Sequence, residues 1–130
     1  MPTELEQTII LLKARNELDY EGFCKALSPE IVYEAQDIRH PIAGKKAVES
    51  YLKDRFDYIR SLDPILDKGE FKIAEIDTPK RSKKLCLAYK IKEEIKALWI
   101  LSFDENKLIR RIDITTIYPD PKTAKIIEIH

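Results

Sequence analysis

The chain has 130 residues, which is enough for one folded domain with a buried core. Hydrophobic residues make up 44% of it, and this share excludes a disordered chain. The 23 basic residues balance the 23 acidic ones, so no net charge attracts nucleic acid or an anionic membrane surface, and neither is expected as a partner.

Localisation follows from the apolar runs and the cysteines. No apolar run approaches the roughly 20 residues that span a bilayer. Acidic residues precede the first apolar stretch, unlike in a secretory signal. Cys24 and Cys86 are the only cysteines and lack the spacing of a redox or zinc motif, so buried reduced thiols are expected. These features predict a cytoplasmic protein.

Two helices are predicted near the start of the chain. The first covers residues 3–16, and an apolar stripe is predicted on it at Leu5, Ile9 and Leu12. Asp19 is a plausible N-cap for a second, short helix that carries Phe23 and Leu27. Each helix would then bury one face.

A short strand and a long helix follow. Pro29 is expected to end the second helix and to begin the strand Glu30–Gln36. After the loop Asp37–Gly44, a third helix is predicted to run until Pro64 stops it. Its apolar residues at helical spacing are Val48, Leu52, Phe56, Ile59 and Leu62.

From Gly69 onward the apolar pattern alternates with a period of two. Four strands are predicted: GEFKIAEID, KLCLAYKIK, IKALWILSF and KLIRRIDITTIY. Helices that precede consecutive strands indicate an α+β fold with an antiparallel sheet. The tail 120–130 has an apolar end, and it either adds an edge strand or pairs with another subunit.

The hairpin of the second and third of these strands is apolar on both faces. If Glu93 and Glu94 form a two-residue turn, Ala88 pairs with Trp99 and Cys86 with Leu101. The helices of one domain cover only one face of such a sheet. The other face therefore predicts a homodimer, through Leu85, Leu87, Tyr89, Leu98 and Ile100.

The stretch from Asp19 to Leu52 carries a resemblance to a known family. A short helix, a Ser-Pro step, a strand, a Pro-x-x-Gly loop at Pro41 and a long helix follow one another. This order resembles the nuclear-transport-factor-2-like superfamily, and the resemblance covers about residues 5–118. It implies one domain over residues 1–130. Three N-terminal helices would pack on a curved antiparallel sheet, as a cystatin-like cone-shaped barrel around one pocket. The superfamily includes enzymes, carriers and dimerisation modules, so the fold does not decide the function.

The ketosteroid-isomerase branch of this superfamily offers a test of function. Its mechanism uses a carboxylate base, a tyrosine and a protonated carboxylic acid. By resemblance these positions fall on Ala35, Leu11 and Trp99, respectively. All three residues are apolar, so that mechanism is expected to be absent.

Asp113 and Arg111 are candidates on the last strand. In strict alternation they share a face with Ile109 and Thr115, and this face is expected to line the pocket. The polyketide-cyclase-like (SnoaL-like) and epoxide-hydrolase-like branches place an aspartate on these strands as acid or base, so Asp113 is the candidate base. The alternatives are a structural ion pair with Arg111, or an exposed pair if the register slips by one residue.

His40 is the other candidate for proton transfer, since it lies in the loop at the expected pocket mouth. The alternative is a solvated loop histidine. Neither His40 nor the C-terminal His130 has a cysteine or carboxylate at ligand spacing, so no metal is expected. No phosphate-binding or dinucleotide motif occurs, so no cofactor is expected either.

The ligand-binding residues predicted for the pocket are Tyr33, Tyr51, Trp99 and Arg111. Trp99 forms either the floor of an apolar pocket or the plug that fills it.

The leading hypothesis is a homodimer that binds a small apolar molecule. If this protein is an enzyme, the expected reaction is a cofactor-free lyase, isomerase or hydrolase reaction. The alternative is a dimerisation or protein-interaction module with a filled pocket. A cavity of at least ~300 Å³ separates the two hypotheses. A weaker option is phosphate or nucleic-acid binding by the basic run at residues 80–84, which is otherwise a solvated loop.

Overall fold

The described part of the chain contains three helices and seven strands. The computed structural model describes residues 3–36, 38–63, 69–77, 83–116 and 120–127. The helices are α1 (Glu4–Asn16), α2 (Tyr20–Lys25) and α3 (Lys45–Ser61). The strands are β1 (Leu27–Ala35), β2 (Ile42–Ala43), β3 (Glu70–Asp77), β4 (Lys83–Ile91), β5 (Glu94–Phe103), β6 (Ile109–Thr115) and β7 (Lys125–Ile126), with a short 3₁₀ helix at Pro121–Thr123.

All seven strands form one sheet in the order β2-β1-β6-β5-β4-β3-β7. The pair β1–β6 is parallel, and the other neighbouring pairs are antiparallel. The main core lies between the helices and one face of this sheet, which we call the inner face. The predicted α+β fold class is therefore confirmed, with a mixed sheet. Helix α3 ends at Ser61, while its predicted stop at Pro64 lies outside the described residues.

Helix α1 begins with a capping box between Thr3 and Glu6. The apolar stripe predicted for it is confirmed only in part: Ile9 and Leu12 are half-buried and pack against the main core, but Leu5 is 40% exposed. The buried residues are instead Gln7, Thr8, Leu11 and Ala14. Apolar residues occur on several sides of this helix, so their spacing does not identify the buried face.

Helix α2 is shorter than predicted. The Asp19 side chain accepts a hydrogen bond from the Gly22 N–H, which confirms the predicted N-cap. Phe23 is buried on this helix as expected, but Leu27 already belongs to β1. The helix ends at Lys25, before Pro29, which lies inside the strand.

The β4–β5 hairpin has a different register from the predicted one. Its turn is Lys92–Glu93, since Ile91 pairs with Glu94. A bulge then inserts one extra residue on β5, and Leu87 pairs with Trp99. Moving a two-residue turn by one position does not change which side chains of the two strands share a face of the sheet. A one-residue bulge on one strand does change it, because the residues beyond the bulge then point to the opposite face. The predicted pairing of Ala88 with Trp99 is wrong for this reason.

A second bulge changes the last strand. Ser102 pairs with Arg111 and Phe103 with Ile109, so Arg110 is the extra residue on β6. Strict alternation fails at this point. Ile109 faces the helices, as predicted, but the residues after the bulge have the opposite faces from those expected.

The opposite, outer face of the sheet carries a second apolar cluster. It consists of Ala74, Ile76, Cys86, Ala88, Leu98 and Ile100. Ala124 and Ile126 of the C-terminal segment pack against it, and β7 pairs with β3. The tail therefore adds an edge strand, which is one of the two predicted alternatives, and it covers a face that was expected to need a second subunit.

The residues predicted for a dimer contact do not share one face. Leu85, Leu87 and Tyr89 belong to the inner core. Leu98 and Ile100 lie in the outer cluster, and Leu98 is fully buried within the single chain. The predicted contact surface is wrong because it depends on a register that the hairpin does not have, while the homodimer itself stays a prediction.

Candidate functional site

A cavity of about 460 Å³ lies between the helices and the inner face of the sheet. Its lining is formed by α1, by one side of α3, and by strands β1, β3, β4, β5 and β6. The lining residues are Arg15, Tyr33, Ala35, Tyr51, Leu52, Arg55, Phe56, Tyr58, Ile59, Leu62, Phe71, Tyr89, Trp99 and Ile114. Arg55 and Tyr58 are exposed, so the cavity meets solvent beside the second half of α3.

Three of the four residues predicted to bind a ligand line this cavity. The Tyr33 ring stands at 90° to the Trp99 ring, with centroids 6.2 Å apart. Tyr51 on α3 lies 5.1 Å from Tyr33 between ring centroids. Trp99 is 9% exposed and forms a wall of the cavity rather than a plug.

Asp113 and Arg111 do not line the cavity. Both point to the outer face, because the bulge at Arg110 exchanges the faces of the strand. The Arg111 Nε lies 3.0 Å from Asp113 Oδ1, and its guanidinium also lies 2.6 Å from Glu34 Oε2. All three side chains are about one third exposed or more. The prediction of a pocket base at Asp113 and a ligand contact at Arg111 is therefore wrong, and the pair is the partly exposed one expected from a register slip.

His40 is exposed in the segment before β2, and it is not among the residues that line the cavity. The structure thus does not bring it together with the aromatic residues of the predicted site. Among residues 3–36, 38–63, 69–77, 83–116 and 120–127, no group of three histidine, cysteine or acidic side chains is arranged to hold a metal ion.

Arg15 is absent from the residues predicted for the site, yet it lines the cavity and is half-buried, whereas Arg55 is exposed. Its guanidinium carbon lies 4.8 Å from the Phe71 ring centroid, 5.5 Å from that of Phe56 and 5.8 Å from that of Trp99. Arg15 follows Leu11 by four residues, which places both on the same side of α1. The full burial of Leu11 is the signal that identifies this side, but the sequence alone does not reveal it.

The neighbouring Asn16 fixes the end of α1 against the sheet. Its side-chain amide donates to the Phe71 carbonyl at 3.1 Å and accepts from the Phe71 N–H at 2.8 Å. A side chain that satisfies both backbone groups of one residue holds the helix in register with β3. Arg15 is thereby held over the Phe71 ring.

The cavity has a positive electrostatic character. Among the described residues, its lining contains Arg15 and Arg55 and no acidic residue. Burial lowers the pKa of the Arg15 guanidinium, and the nearby charge of Arg55 acts in the same direction. An arginine remains charged at neutral pH even so, because its pKa begins far above 7.

Neither cysteine is a candidate nucleophile. Burial raises the pKa of Cys24 to about 11 and that of Cys86 to about 12, so both thiols stay protonated at neutral pH. Both are free and buried, as predicted. Burial also raises the pKa of the Tyr20 hydroxyl to about 12. This hydroxyl donates a hydrogen bond to the Glu49 carbonyl and so links α2 to α3.

The structure shows where the three positions compared with the ketosteroid-isomerase mechanism lie. Ala35 and Trp99 line the cavity, and Leu11 is fully buried in the core. The cavity therefore presents a methyl group and an indole where that mechanism needs carboxyl groups. The absence of this isomerase activity stays a prediction.

Comparisons place the architecture among known structures. No family model matches the chain, and no curated protein sequence matches it. A SnoaL-like protein of unknown function from Burkholderia thailandensis superposes with a TM-score of 0.60 at 13% identity, over 82% of this chain and 88% of that one. A steroid delta-isomerase from Pseudomonas aeruginosa gives a TM-score of 0.60 at 15% identity, over 92% and 84%.

A third structure is an NTF2-like protein of unknown function from Cytophaga hutchinsonii, with a TM-score of 0.57 at 12% identity over 88% of this chain and 89% of that one. At these identities the likeness concerns the fold. None of the helices in the described residues is both long and apolar enough to cross a bilayer. The chain has the nuclear-transport-factor-2-like fold that the order of its elements predicted.

Proposed function

We propose that the chain is a small-molecule-binding protein whose ligand occupies the cavity between α1, α3 and the inner face of the sheet. The observation that carries this proposal is the cavity of about 460 Å³, which lies within the size range of ligand pockets. Aromatic side chains supply most of its apolar wall, and a few polar groups converge on it. Such a composition is typical of sites that bind organic molecules.

The chemistry of the lining favours binding over proton transfer by a carboxylate or an imidazole. The titratable groups that the described residues contribute to the cavity are two arginines and four tyrosines, namely Arg15, Arg55, Tyr33, Tyr51, Tyr58 and Tyr89. The hypothesis of a SnoaL-like lyase, isomerase or hydrolase depended on Asp113 as its base, and that side chain lies on the outer face. We therefore propose binding as the function of the cavity.

The alternative is an interaction module in which side chains fill the cone. Such a module requires no internal volume, whereas the cavity here exceeds the ~300 Å³ that separates the two hypotheses. The proposal includes a cytoplasmic location, where both free thiols would stay reduced.

The proposal is tested by titrating the purified protein with N-phenylnaphthylamine, a neutral dye that fluoresces in apolar surroundings. We expect saturable binding of one dye per chain. The variant Ala35→Phe should abolish it, because Ala35 lines the cavity and a phenyl ring there would fill it. The control Ala43→Phe adds the same ring at an exposed position of β2 and should bind the dye like the wild type. Equal binding by both variants would show that the dye does not enter the cavity.

A further inference from the structure

The charge distribution of the cavity identifies a class of ligand. The guanidinium of Arg15 has no hydrogen bond or ion pair within the described residues, and it lies against aromatic rings. By contrast, Arg111 on the outer face has two carboxylate partners. Within the part of the chain that the structure describes, an arginine that is more than one third exposed is paired with carboxylates, whereas the one inside the cavity has no anionic partner.

The rings around Arg15 stabilise the positive charge of its guanidinium but leave its hydrogen-bond donors without acceptors. The faces of Phe71, Phe56 and Trp99 attract the positive charge through their quadrupoles. They contain no lone pair to accept its N–H groups, of which a guanidinium has five in a fixed planar fork. Every fully buried side-chain nitrogen or oxygen in the described residues has a partner, so the free N–H groups of Arg15 reach accessible space. That space is the cavity that Arg15 lines.

Keeping such a charge inside an apolar wall costs free energy unless something pairs with it. The second arginine of the lining adds to the cost, because two like charges share one cavity whose described lining includes no acidic residue. An incoming anion would lower this cost, and the planar fork of an arginine matches the two oxygens of a carboxylate.

The remaining wall specifies the rest of the ligand. Tyr33 and Trp99 form one side, and the Phe71 and Tyr89 rings, with centroids 5.0 Å apart, form another. These surfaces suit an aromatic or aliphatic body. Resting on the proposed binding function, we infer that the ligand is an organic anion: a carboxylate on an apolar body, with its charged group bound by Arg15.

The test compares two probes of the same shape that differ in charge, phenylbutyrate and its amide phenylbutyramide, by isothermal titration calorimetry. We expect the wild type to bind the carboxylate about ten- to hundredfold more tightly than the amide, the usual range for a charge-assisted hydrogen bond. Arg15→Met keeps an unbranched apolar stem and removes the guanidinium charge, so it should make the two affinities equal. Arg15→Lys keeps the charge without the fork and should retain part of the preference.

The matched control is Lys13→Met, which removes one positive charge from an exposed position on the same helix. It should keep the full preference for the carboxylate. Equal affinities for the two probes in the wild type would overturn this inference while leaving the binding function intact. An unchanged preference in a folded Arg15→Met variant, verified by circular dichroism, would overturn it as well. Binding of neither probe, together with failure of the neutral dye to bind, would overturn both proposals.

Discussion

Leu87 on β4 and Trp99 on β5 are paired across the sheet, and both side chains face the helices. This pair fixes which face of the hairpin is internal. It places Trp99 in the wall of the cavity and Leu87 in the main core, where the side chain is fully buried.

Leu87→Ala is expected to lower the free energy of unfolding by about 2–5 kcal/mol, because it leaves a void in a packed core. Leu5→Ala is the matched control on α1, where the side chain is 40% exposed, and it should change stability by less than about 0.5 kcal/mol. Urea denaturation followed by Trp99 fluorescence measures both. If Leu87→Ala changed the oligomeric state and left the free energy of unfolding unchanged, Leu87 would belong to a contact surface between subunits and not to the core.

The strands could be predicted from the sequence, but their faces could not. Four runs of alternating residues give β3 to β6 nearly to their observed bounds. Register is set by turn position and by bulges, and a hairpin that is apolar on both faces accepts either pairing. The two bulges that exchange the faces, one on β5 and one at Arg110, have no composition that distinguishes them from the neighbouring residues.

The C-terminal segment is expected to shield the outer apolar cluster. A chain shortened after residue 119 should melt at a lower temperature and self-associate more than the full chain, since it exposes Leu98 and Ile100 to water. Light scattering at equal concentration gives the mass of each form and also tests the predicted homodimer. Ala124→Asp places a charge against the outer cluster, so it should also lower the melting temperature and increase self-association. Lys122→Ala changes an exposed position and should leave both properties unchanged. Identical masses and melting temperatures for both chain lengths would contradict the covering role of the tail.

Asp113→Asn should leave ligand binding unchanged, because this carboxylate lies on the outer face. Its ion pair with Arg111 is partly exposed, so stability should fall by no more than about 1 kcal/mol. Glu34→Gln removes the other partner of Arg111 and should have a similar effect. A thermal melt and a titration with phenylbutyrate measure the two properties. If a folded Asp113→Asn variant no longer bound phenylbutyrate, Asp113 would have to contribute to the binding site.

The candidate site could be predicted only in its aromatic part. Tyr33, Tyr51 and Trp99 follow from their positions in the resemblance, and all three line the cavity. Arg15 was missed because α1 has apolar residues on several sides, and the inward side carries Gln7 and Thr8. A polar residue on a helix is usually assigned to solvent. In this helix the packing of α1 on the sheet, rather than its own pattern, turns Arg15 inward.

The buried thiol of Cys86 predicts how stability depends on alkaline pH. Its pKa is about 12 in the fold against an ordinary value of 9.0, because burial opposes the thiolate. Below about pH 9 the thiol is protonated in both states and contributes nothing to the pH dependence. Between about pH 9 and pH 12 the unfolded chain loses this proton while the folded chain keeps it, so stability falls as the pH rises.

Midway between pH 9 and pH 12, the titration of Cys86 should have lowered the free energy of unfolding by about 1–2 kcal/mol. Cys86→Ala removes the titrating group, so its unfolding free energy should decline less steeply over the same pH range than that of the wild type. Cys24→Ala is the comparison variant: the pKa of Cys24 is about 11, so its replacement should flatten the curve over a narrower range. Urea denaturation at a series of pH values gives the slopes, which are compared in place of the absolute stabilities, because both substitutions also remove buried volume. Parallel slopes for the wild type and Cys86→Ala would mean that the Cys86 thiolate meets water in the folded chain, and that the outer cluster is not closed by the tail.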